Sequence, residues 1–339
     1  MLFAFPSAWR PRFACLVAAL APALAAEAAT FPLPPPDEDL IGAIRHVYVQ
    51  GDETLLDIAR RHNVGFQDIQ SANPGVDMWV PGDGERITLP TRYVLPPGPR
   101  RGIVLNLPEM RLYYYPTPAP GEAPVVVTYP MSIGRGDWST PLGSTTVTTK
   151  VRDPSWYPPA SIRREAEEEG RELPKVVPPG PENPLGRHAL RLGLPGYLIH
   201  GTNRPAGVGM RVTHGCIRLF PEDVEALYET LPVGTPVRII NQPHKVGRLA
   251  GMLFLESHAP LPEDERYLQD GLTMLTRVLV RASADEQLDV NWTAAERVFT
   301  ASRGIPYTIH DNLASGADLI GGLDGWCASG AATAHCATP

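Results

Sequence analysis

Apolar and polar positions follow different periods in successive stretches of the chain. His46-Val47-Tyr48-Val49 suits a short strand; Gly51 and Asp52 then make a turn, and Thr54 stands as an N-cap before Leu55 to His62, where Leu55, Ile58 and Ala59 share one face. Asn63 ends that helix. A second helix spans Phe66 to Ala72 and stops before Asn73-Pro74-Gly75, and Arg86-Ile87-Thr88-Leu89-Pro90 returns as a strand. The predicted order is βααβ over residues 45–91. From residue 102 the period falls to two, in Gly102 to Leu107, Arg111 to Tyr115, Pro124 to Pro130 and Ser144 to Val151, which read as sheet segments joined by proline-bearing turns. Helical spacing returns at Ile162 to Glu169 and at Pro221 to Glu229, where Pro221 suits the first helical position and Glu222 and Asp223 the positive first turn. The carboxylates of Glu165 to Glu169 read as a solvated helix face. Val237 to Asn241 is expected to close the sheet. Beyond it lie Met252 to Glu256, two amphipathic helical stretches at about 263 to 283 and 293 to 303, and a Gly/Ala-rich tail. The chain therefore reads as mainly β: a β-rich domain over 100–241 behind the small βααβ unit, with a C-terminal extension over 242–339.

Composition narrows the class of protein. At 339 residues, 43% apolar and 20% charged, the chain is long enough for two globular domains. Its net charge of −7 offers no basic footprint for phosphates, which excludes nucleic acid as a partner. The 38 prolines are about twice the usual usage. They place an extended spacer at Thr30 to Asp37 within a linker over 27–44, and a second linker at Pro97-Gly98-Pro99. Arg10 and Arg12, the apolar run Phe13 to Leu24 and a small-residue site near Ala25 or Ala26 read as a signal peptide over 1–26, against the alternative of an uncleaved anchor. Its removal leaves no transmembrane segment in the mature chain and takes away Cys15. Cys216, Cys327 and Cys336 then enter an oxidising compartment, where the two tail cysteines, separated by eight mostly small residues, are expected to pair; the alternative is a tail whose thiols are incidental.

Candidate chemistry concentrates in Tyr197 to Leu219, which holds His200, His214 and Cys216. His200 ends an apolar strand, and the chain is expected to return in hairpin fashion as Thr213-His214-Gly215-Cys216-Ile217-Arg218, bringing an imidazole to either side of the thiol. An adjacent imidazole can depress a thiol's pKa to about 3.5–7.5 and yield the thiolate that attacks a carbonyl. The N–H groups of Gly215 and Cys216 are placed to form an oxyanion hole, since glycine allows the sharp turn. Two other readings compete: His200, His214 and Cys216 as zinc ligands lacking a fourth, and Cys216 as a buried structural thiol.

His200, Thr213-His214-Gly215-Cys216 and Arg218 resemble the catalytic motif of the L,D-transpeptidases, the YkuD family, and their ErfK-like subgroup. The similarity runs from Gly102 to about Lys245 through IGRGDWSTPLG, the PSWYPP loop, VVPPGPENPLGRHAL, IHGTN and VRIINQP, departing only in details such as Thr213 for the commoner serine and Arg135 for lysine. The resemblance implies a YkuD-type β-sandwich without cofactor or metal. In it Cys216 is the nucleophile, His200 the general base, the Gly201 carbonyl orients the imidazole, and Thr213, His214, Gly215, Arg218 and Asn203 position substrate or steady the oxyanion. The donor it implies is a peptidoglycan tetrapeptide stem, attacked at the L-centre carbonyl of its third residue with release of D-alanine. The acceptor is a second stem, the C-terminal lysine of a Braun-type outer-membrane lipoprotein, or water, the last making the protein an L,D-carboxypeptidase. VQGDETLLDIARRHNV, ANPGVD and PGDGERITLP resemble a LysM module, which implies glycan-strand binding at Asp52, Thr54, Asn73 and Pro74. Together these imply a periplasmic enzyme; a non-catalytic peptidoglycan-binding protein is the alternative, disfavoured because a scaffold needs no thiol flanked by imidazoles.

Overall fold

The computed structural model describes residues 29–136, 138–284 and 289–310; the expected signal peptide over 1–26 and the Cys327–Cys336 pair lie outside them. The fold is mainly β. Its centre is a curled nine-stranded sheet in the order Ala29–Pro32, Val125–Pro130, Arg111–Tyr115, Gly102–Asn106, Pro236–Ile240, Gly143–Arg152, His188–Leu192, Leu198–His200, Ile217–Arg218. Pro236–Ile240 thus runs through the interior, parallel to Gly102–Asn106 and antiparallel to Gly143–Arg152, instead of closing the sheet.

Gly102–Asn106 and Arg111–Tyr115 are buried on both faces. One face, with Ile103, Leu105, Leu112 and Tyr114, joins the main core, where Val224 and Leu227 of the helix Pro221–Thr230 pack with Leu190 and Ile199. The other face, with Val104, Tyr113 and Tyr115, packs against Ile41, Tyr93 and Leu95. This second layer corrects the expected linker over 27–44. Ala29–Pro32 pairs with Val125–Pro130 as an edge strand, where proline is tolerated, and Leu40–Gly42 pairs with Arg92–Val94. An apolar sheet face needs cover, and the proline-rich stretch supplies it.

The βααβ unit forms from Arg45–Tyr48, Leu55–Arg61, Phe66–Ala72 and Arg86–Leu89, with its own core of Leu55, Ile58, Val64, Ile69 and Ile87. Thr54 caps the first helix in a reciprocal capping box with Asp57. The unit is fastened to the sheet domain. The Asn63 amide donates to buried Asp223 at 2.8 Å, and the amides of Phe66 and Gln67 donate to the carbonyls of Val208 and Gly209 at 3.1 and 3.2 Å. Gly209 has φ +85°, and a Cβ there would stand 2.3 Å from the Phe66 nitrogen, so only glycine permits the approach.

The extension adds the three-stranded sheet of His244–Leu249, Met252–Ser257 and Tyr307–Thr308 under the helices Glu265–Ala284 and Trp292–Ala301, close to the expected helical stretches. It meets the main sheet through buried charge. Lys245 Nζ lies 2.9 Å from both Glu109 and Glu256 and donates to the Val94 carbonyl at 2.7 Å; Tyr113 donates its hydroxyl proton to Glu109, and His258 bonds Glu256 at 2.7 Å. Burial opposes charge on Glu256, yet Lys245 and His258 hold its carboxyl below the ordinary range; burial likewise opposes charge on His258, yet Glu256 holds it above. Carboxylate and imidazole atoms of Glu109, Glu256 and His258 come within 4.8 Å of one another, as in a metal site, but the Lys245 ammonium supplies the positive charge between the two carboxylates. Replacing Lys245 by methionine strands two buried carboxylates. Equilibrium denaturation of Lys245→Met should therefore show a loss of about 3–5 kcal/mol; an unchanged midpoint would mean that the ammonium contributes nothing net.

Candidate active site

The strand Leu198–His200 lies beside Ile217–Arg218 in parallel, with Ile199 opposite Ile217 and His200 opposite Arg218. This corrects the hairpin-like return: the intervening chain crosses over, and Arg211–Thr213 pairs with Ile133–Gly134 instead. Both isoleucines point into the core. Strand alternation then turns Leu198, His200, Cys216 and Arg218 to the opposite face, where they line one cavity of about 730 Å³ with His214, Trp138 and Tyr197. Across the cavity stand Trp156, Tyr157 and the start of the helix Ala160–Glu168.

His200 is buried, and its Nδ1 lies 2.6 Å from the Gly201 carbonyl. A carbonyl only accepts, so Nδ1 carries the proton and Nε2 keeps its lone pair as a base. Burial, and then the Arg218 charge, lower the His200 pKa to about 4. Burial pushes the Cys216 thiol up, against weaker opposing effects of Leu198 and Arg218. Both shifts favour the uncharged thiol and imidazole over the expected imidazole-stabilised thiolate, because burial disfavours charge on either group.

Gly215 has φ +97°, and a Cβ there would lie 2.9 Å from the Tyr197 ring, so this turn requires glycine. Thr140 donates its hydroxyl to the Gly215 carbonyl at 2.9 Å, and Thr213 donates to the Cys216 carbonyl at 2.6 Å. With both carbonyls tied, the N–H groups of Gly215 and Cys216 donate to no group among the described residues and are available to an oxyanion.

His214 Nε2 lies 2.6 Å from Glu165 Oε2, and Arg135 pairs with the same carboxylate. Burial and the neighbouring arginines lower the His214 pKa, and its contact with the Glu165 carboxylate is a short hydrogen bond. Glu165 is thus no solvated helix residue: it ties the helix Ala160–Glu168 to the Cys216 loop, a link between positions 49 apart that local spacing does not signal. Asn203 lies elsewhere, bonding the Glu182 carbonyl at 3.2 Å and lining a second cavity. In the βααβ unit, Asp52 and Pro74 are exposed, Thr54 is engaged as a cap, and Asn73 is buried with its amide bonded to Ile69 and Thr88.

A mainly β fold that sets a thiol, an imidazole base and two open amides around one cavity defines an enzyme of the acyl-transfer class. Residues 100–239 match the YkuD L,D-transpeptidase catalytic domain. The chain is 47% identical over 257 residues to the probable L,D-transpeptidase YcfS of Escherichia coli, covering 74% of this chain and 79% of that one. It is 38% identical over 292 residues to the probable L,D-transpeptidase ErfK/SrfK of the same organism, covering 83% and 91%. A solved L,D-transpeptidase from Mycobacterium smegmatis is 24% identical, covering 44% of this chain and 62% of that one, with a TM-score of 0.31. The chain belongs to the YkuD family and is an ErfK-like L,D-transpeptidase.

Two outcomes follow from this geometry. Alkylation of Cys216 by iodoacetamide should be slow at pH 5–7 and rise through the alkaline range, because the thiol must lose its proton unaided; fast, pH-independent alkylation near pH 5 would reveal a preformed ion pair. Glu165→Gln should weaken a charge-assisted bond and speed amide hydrogen exchange in Ala160–Glu168 by about tenfold, with Leu198–His200 unaffected. Equal exchange in both proteins would show that Glu165 does not hold the helix.

Proposed function

We propose that the enzyme works on peptidoglycan outside the cytoplasm, cleaving a tetrapeptide stem at the L-centre carbonyl of its third residue and passing the acyl group to an amine. The observation that carries the reading is the His200 tautomer set by Gly201: it leaves Nε2 free to take a proton in the cavity that holds Cys216. As the sulfur attacks, the thiol proton passes to Nε2, and the carbonyl oxygen, now negative, accepts hydrogen bonds from the Gly215 and Cys216 amides. The imidazolium returns the proton to the departing nitrogen, the C–N bond breaks, and D-alanine leaves a thioester on Cys216. An amine then attacks the thioester; its proton passes through His200 to the sulfur, and the thiol is restored.

Neutral resting groups suit this sequence. Charge on the thiol and imidazole then develops as the substrate reacts, where the amides and Arg218 can meet it. Arg218 faces the same cavity and supplies a fixed positive charge near the oxyanion. His214, held by Glu165, shapes the wall against Trp138, whose ring centre is 5.1 Å from that of His214. Thr213 acts on the site through the Cys216 carbonyl.

The reading extends to location and to the βααβ unit. The signal-peptide pattern of residues 1–26 favours the periplasm, and no helix among the described residues is long and apolar enough to cross a membrane. The βααβ unit holds the glycan strand, with Asp52 and Pro74 on its open surface and Thr54 and Asn73 shaping the backbone beneath. Leu55 N donates to the Met78 carbonyl at 3.0 Å, which draws the start of the first helix against the loop after the second.

Intact-mass spectrometry with a synthetic tetrapeptide stem tests the chemistry. The wild-type protein should gain the mass of the stem less D-alanine and release D-alanine. Cys216→Ala should do neither, and His200→Ala should acylate about 10²- to 10⁴-fold more slowly. Equal adducts on wild type and Cys216→Ala would remove Cys216 from the role of nucleophile.

A further inference from the structure

Asn63 and Asp223 read from sequence as local signals, one ending a helix and the other opening one, yet the fold joins them across 160 positions. Asn63 takes φ +53°, the left-handed conformation that asparagine tolerates at a helix end, and from there its side chain reaches the catalytic domain. Asp223 sits in the positive first turn of Pro221–Thr230, a position that suits a carboxylate, but its side chain turns to Asn63. Both are shut off from water, at 3% and 0% exposure.

The contact is half complete. An amide and a carboxyl are both planar groups with two polar atoms each. Asn63 Nδ2 donates to Asp223 Oδ1 at 2.8 Å, whereas Asn63 Oδ1 and Asp223 Oδ2 are buried with no hydrogen-bond partner among the described residues. If Asp223 is a carboxylate, both leftover atoms are acceptors, neither can satisfy the other, and two unmet buried acceptors are costly. A proton on Asp223 Oδ2 turns one of them into a donor.

The charges around the pair point the same way. Two arginines act on Asp223, and each has a carboxylate of its own: Arg60 pairs with Glu222 at 3.3 Å, and Arg111 with Asp68 at 3.1 Å. Glu222, beside Asp223 on the same helix, adds a like charge, and Tyr129 of Val125–Pro130 presents a phenol that burial keeps protonated. Burial thus outweighs the Asn63 hydrogen bond and the two arginines, and it holds the Asp223 carboxyl well above its ordinary range.

We propose that Asp223 carries a proton in the folded enzyme and closes a ring of two hydrogen bonds with Asn63, from Asn63 Nδ2 to Asp223 Oδ1 and from Asp223 Oδ2 to Asn63 Oδ1, and that this ring is a pH-sensitive latch between the βααβ unit and the catalytic domain. Closing the latch takes up a proton, so it is strongest in acid. As pH rises above the ordinary carboxyl pKa of about 4, the open form, with Asp223 hydrated and ionised, gains on the closed one, and it goes on gaining until Asp223 ionises in place. The latch governs the seam beside it. Phe66 and Gln67 donate to the carbonyls of Val208 and Gly209 at 3.1 and 3.2 Å, in the loop between His200 and Thr213, and Asp223 stands on the helix that follows Ile217–Arg218. Opening frees that loop on one side while Ser132 still holds Gly207 on the other. Neither Asn63 nor Asp223 lines the Cys216 cavity, so the device stands apart from the acyl-transfer chemistry.

Two measurements on the full chain test it. Carbon-13 placed at the aspartate side-chain carboxyls reports protonation by chemical shift, and the signal missing from Asp223→Asn belongs to Asp223. It should keep the shift of an uncharged carboxyl at about pH 7, where ordinary aspartates are ionised. Hydrogen exchange, corrected for the intrinsic effect of pH, reads the seam. Between about pH 5 and about pH 9 the amides of Phe66 and Gln67 should lose about tenfold or more of their protection in the wild type, while those of Gly102–Asn106 keep theirs. Asp223→Asn supplies a permanent donor of the same shape, so its seam should hold equally at both ends of that range. Asn63→Gly keeps the left-handed turn and removes the amide, and its seam should exchange faster than wild type at the acid end. An Asp223 that titrates at about pH 4, like an exposed aspartate, overturns the protonated pair. A seam with the same pH dependence in Asp223→Asn as in wild type, or one unmoved in Asn63→Gly, overturns the latch.

Discussion

Buried charge joins the parts of this molecule. Arg111, with no solvent exposure, meets Asp68 of the βααβ unit at 3.1 Å, and its guanidinium carbon lies 4.3 Å from the centre of the Tyr93 ring. Two positions earlier in the chain, Glu109 meets Lys245 of the C-terminal extension, which also holds Glu256 and, through it, His258. One turn of the central sheet thus presents opposite charges to two partners. Such groups are costly to bury singly and tolerable only as complete sets, so each unit supplies what the others lack. Three carboxylates face an arginine, a lysine and a histidine whose charge Glu256 favours, and the set is balanced only when the three units are assembled. A hydrophobic seam tolerates sliding; a seam of matched charges fixes register.

That register reaches the chemistry through the loop between His200 and Thr213. The βααβ unit, held by Asp68, places Phe66 and Gln67 against the carbonyls of Val208 and Gly209, and Ser132 holds Gly207 from the sheet side. The loop is therefore clamped on both sides. Its two ends carry the base, on Leu198–His200, and the motif that leads through Cys216 to Ile217–Arg218, the strand lying parallel beside it. A unit that sequence presents as a separate module is, in the folded protein, part of the wall of a cavity beside the Cys216 site.

How legible this was depends on the range of each interaction. Thr54, Leu55, Ile58 and Asn63 announced the first helix because caps and apolar faces are encoded within a few residues. The constellation of His200, Gly201, Gly215 and Cys216 was legible because it sits in one short stretch with recognisable spacing. Local period could not reveal that Ala29–Pro32 is an edge strand, since its partner Val125–Pro130 lies far along the chain and proline masked the pattern. Glu165 read as solvated because only the fold brings it to His214. The shift of Cys216 was illegible for a related reason: residue types announce that an imidazole is in the same stretch, whereas burial, which raises the thiol here, belongs to the tertiary structure.

The electrostatics of the site follow from the same burial. Burial raises the thiol and lowers the imidazole, which favours the uncharged form of both. Arg218 is the exception, a permanent charge that burial does not neutralise because guanidinium holds its proton too firmly. Beside Arg204, and with no carboxylate partner among the described residues, it lines both the Cys216 cavity and its neighbour, so both share one fixed positive charge. Reacting groups that burial keeps towards neutrality therefore stand against a boundary that keeps its charge, and the contrast is set by the fold and not by residue type alone.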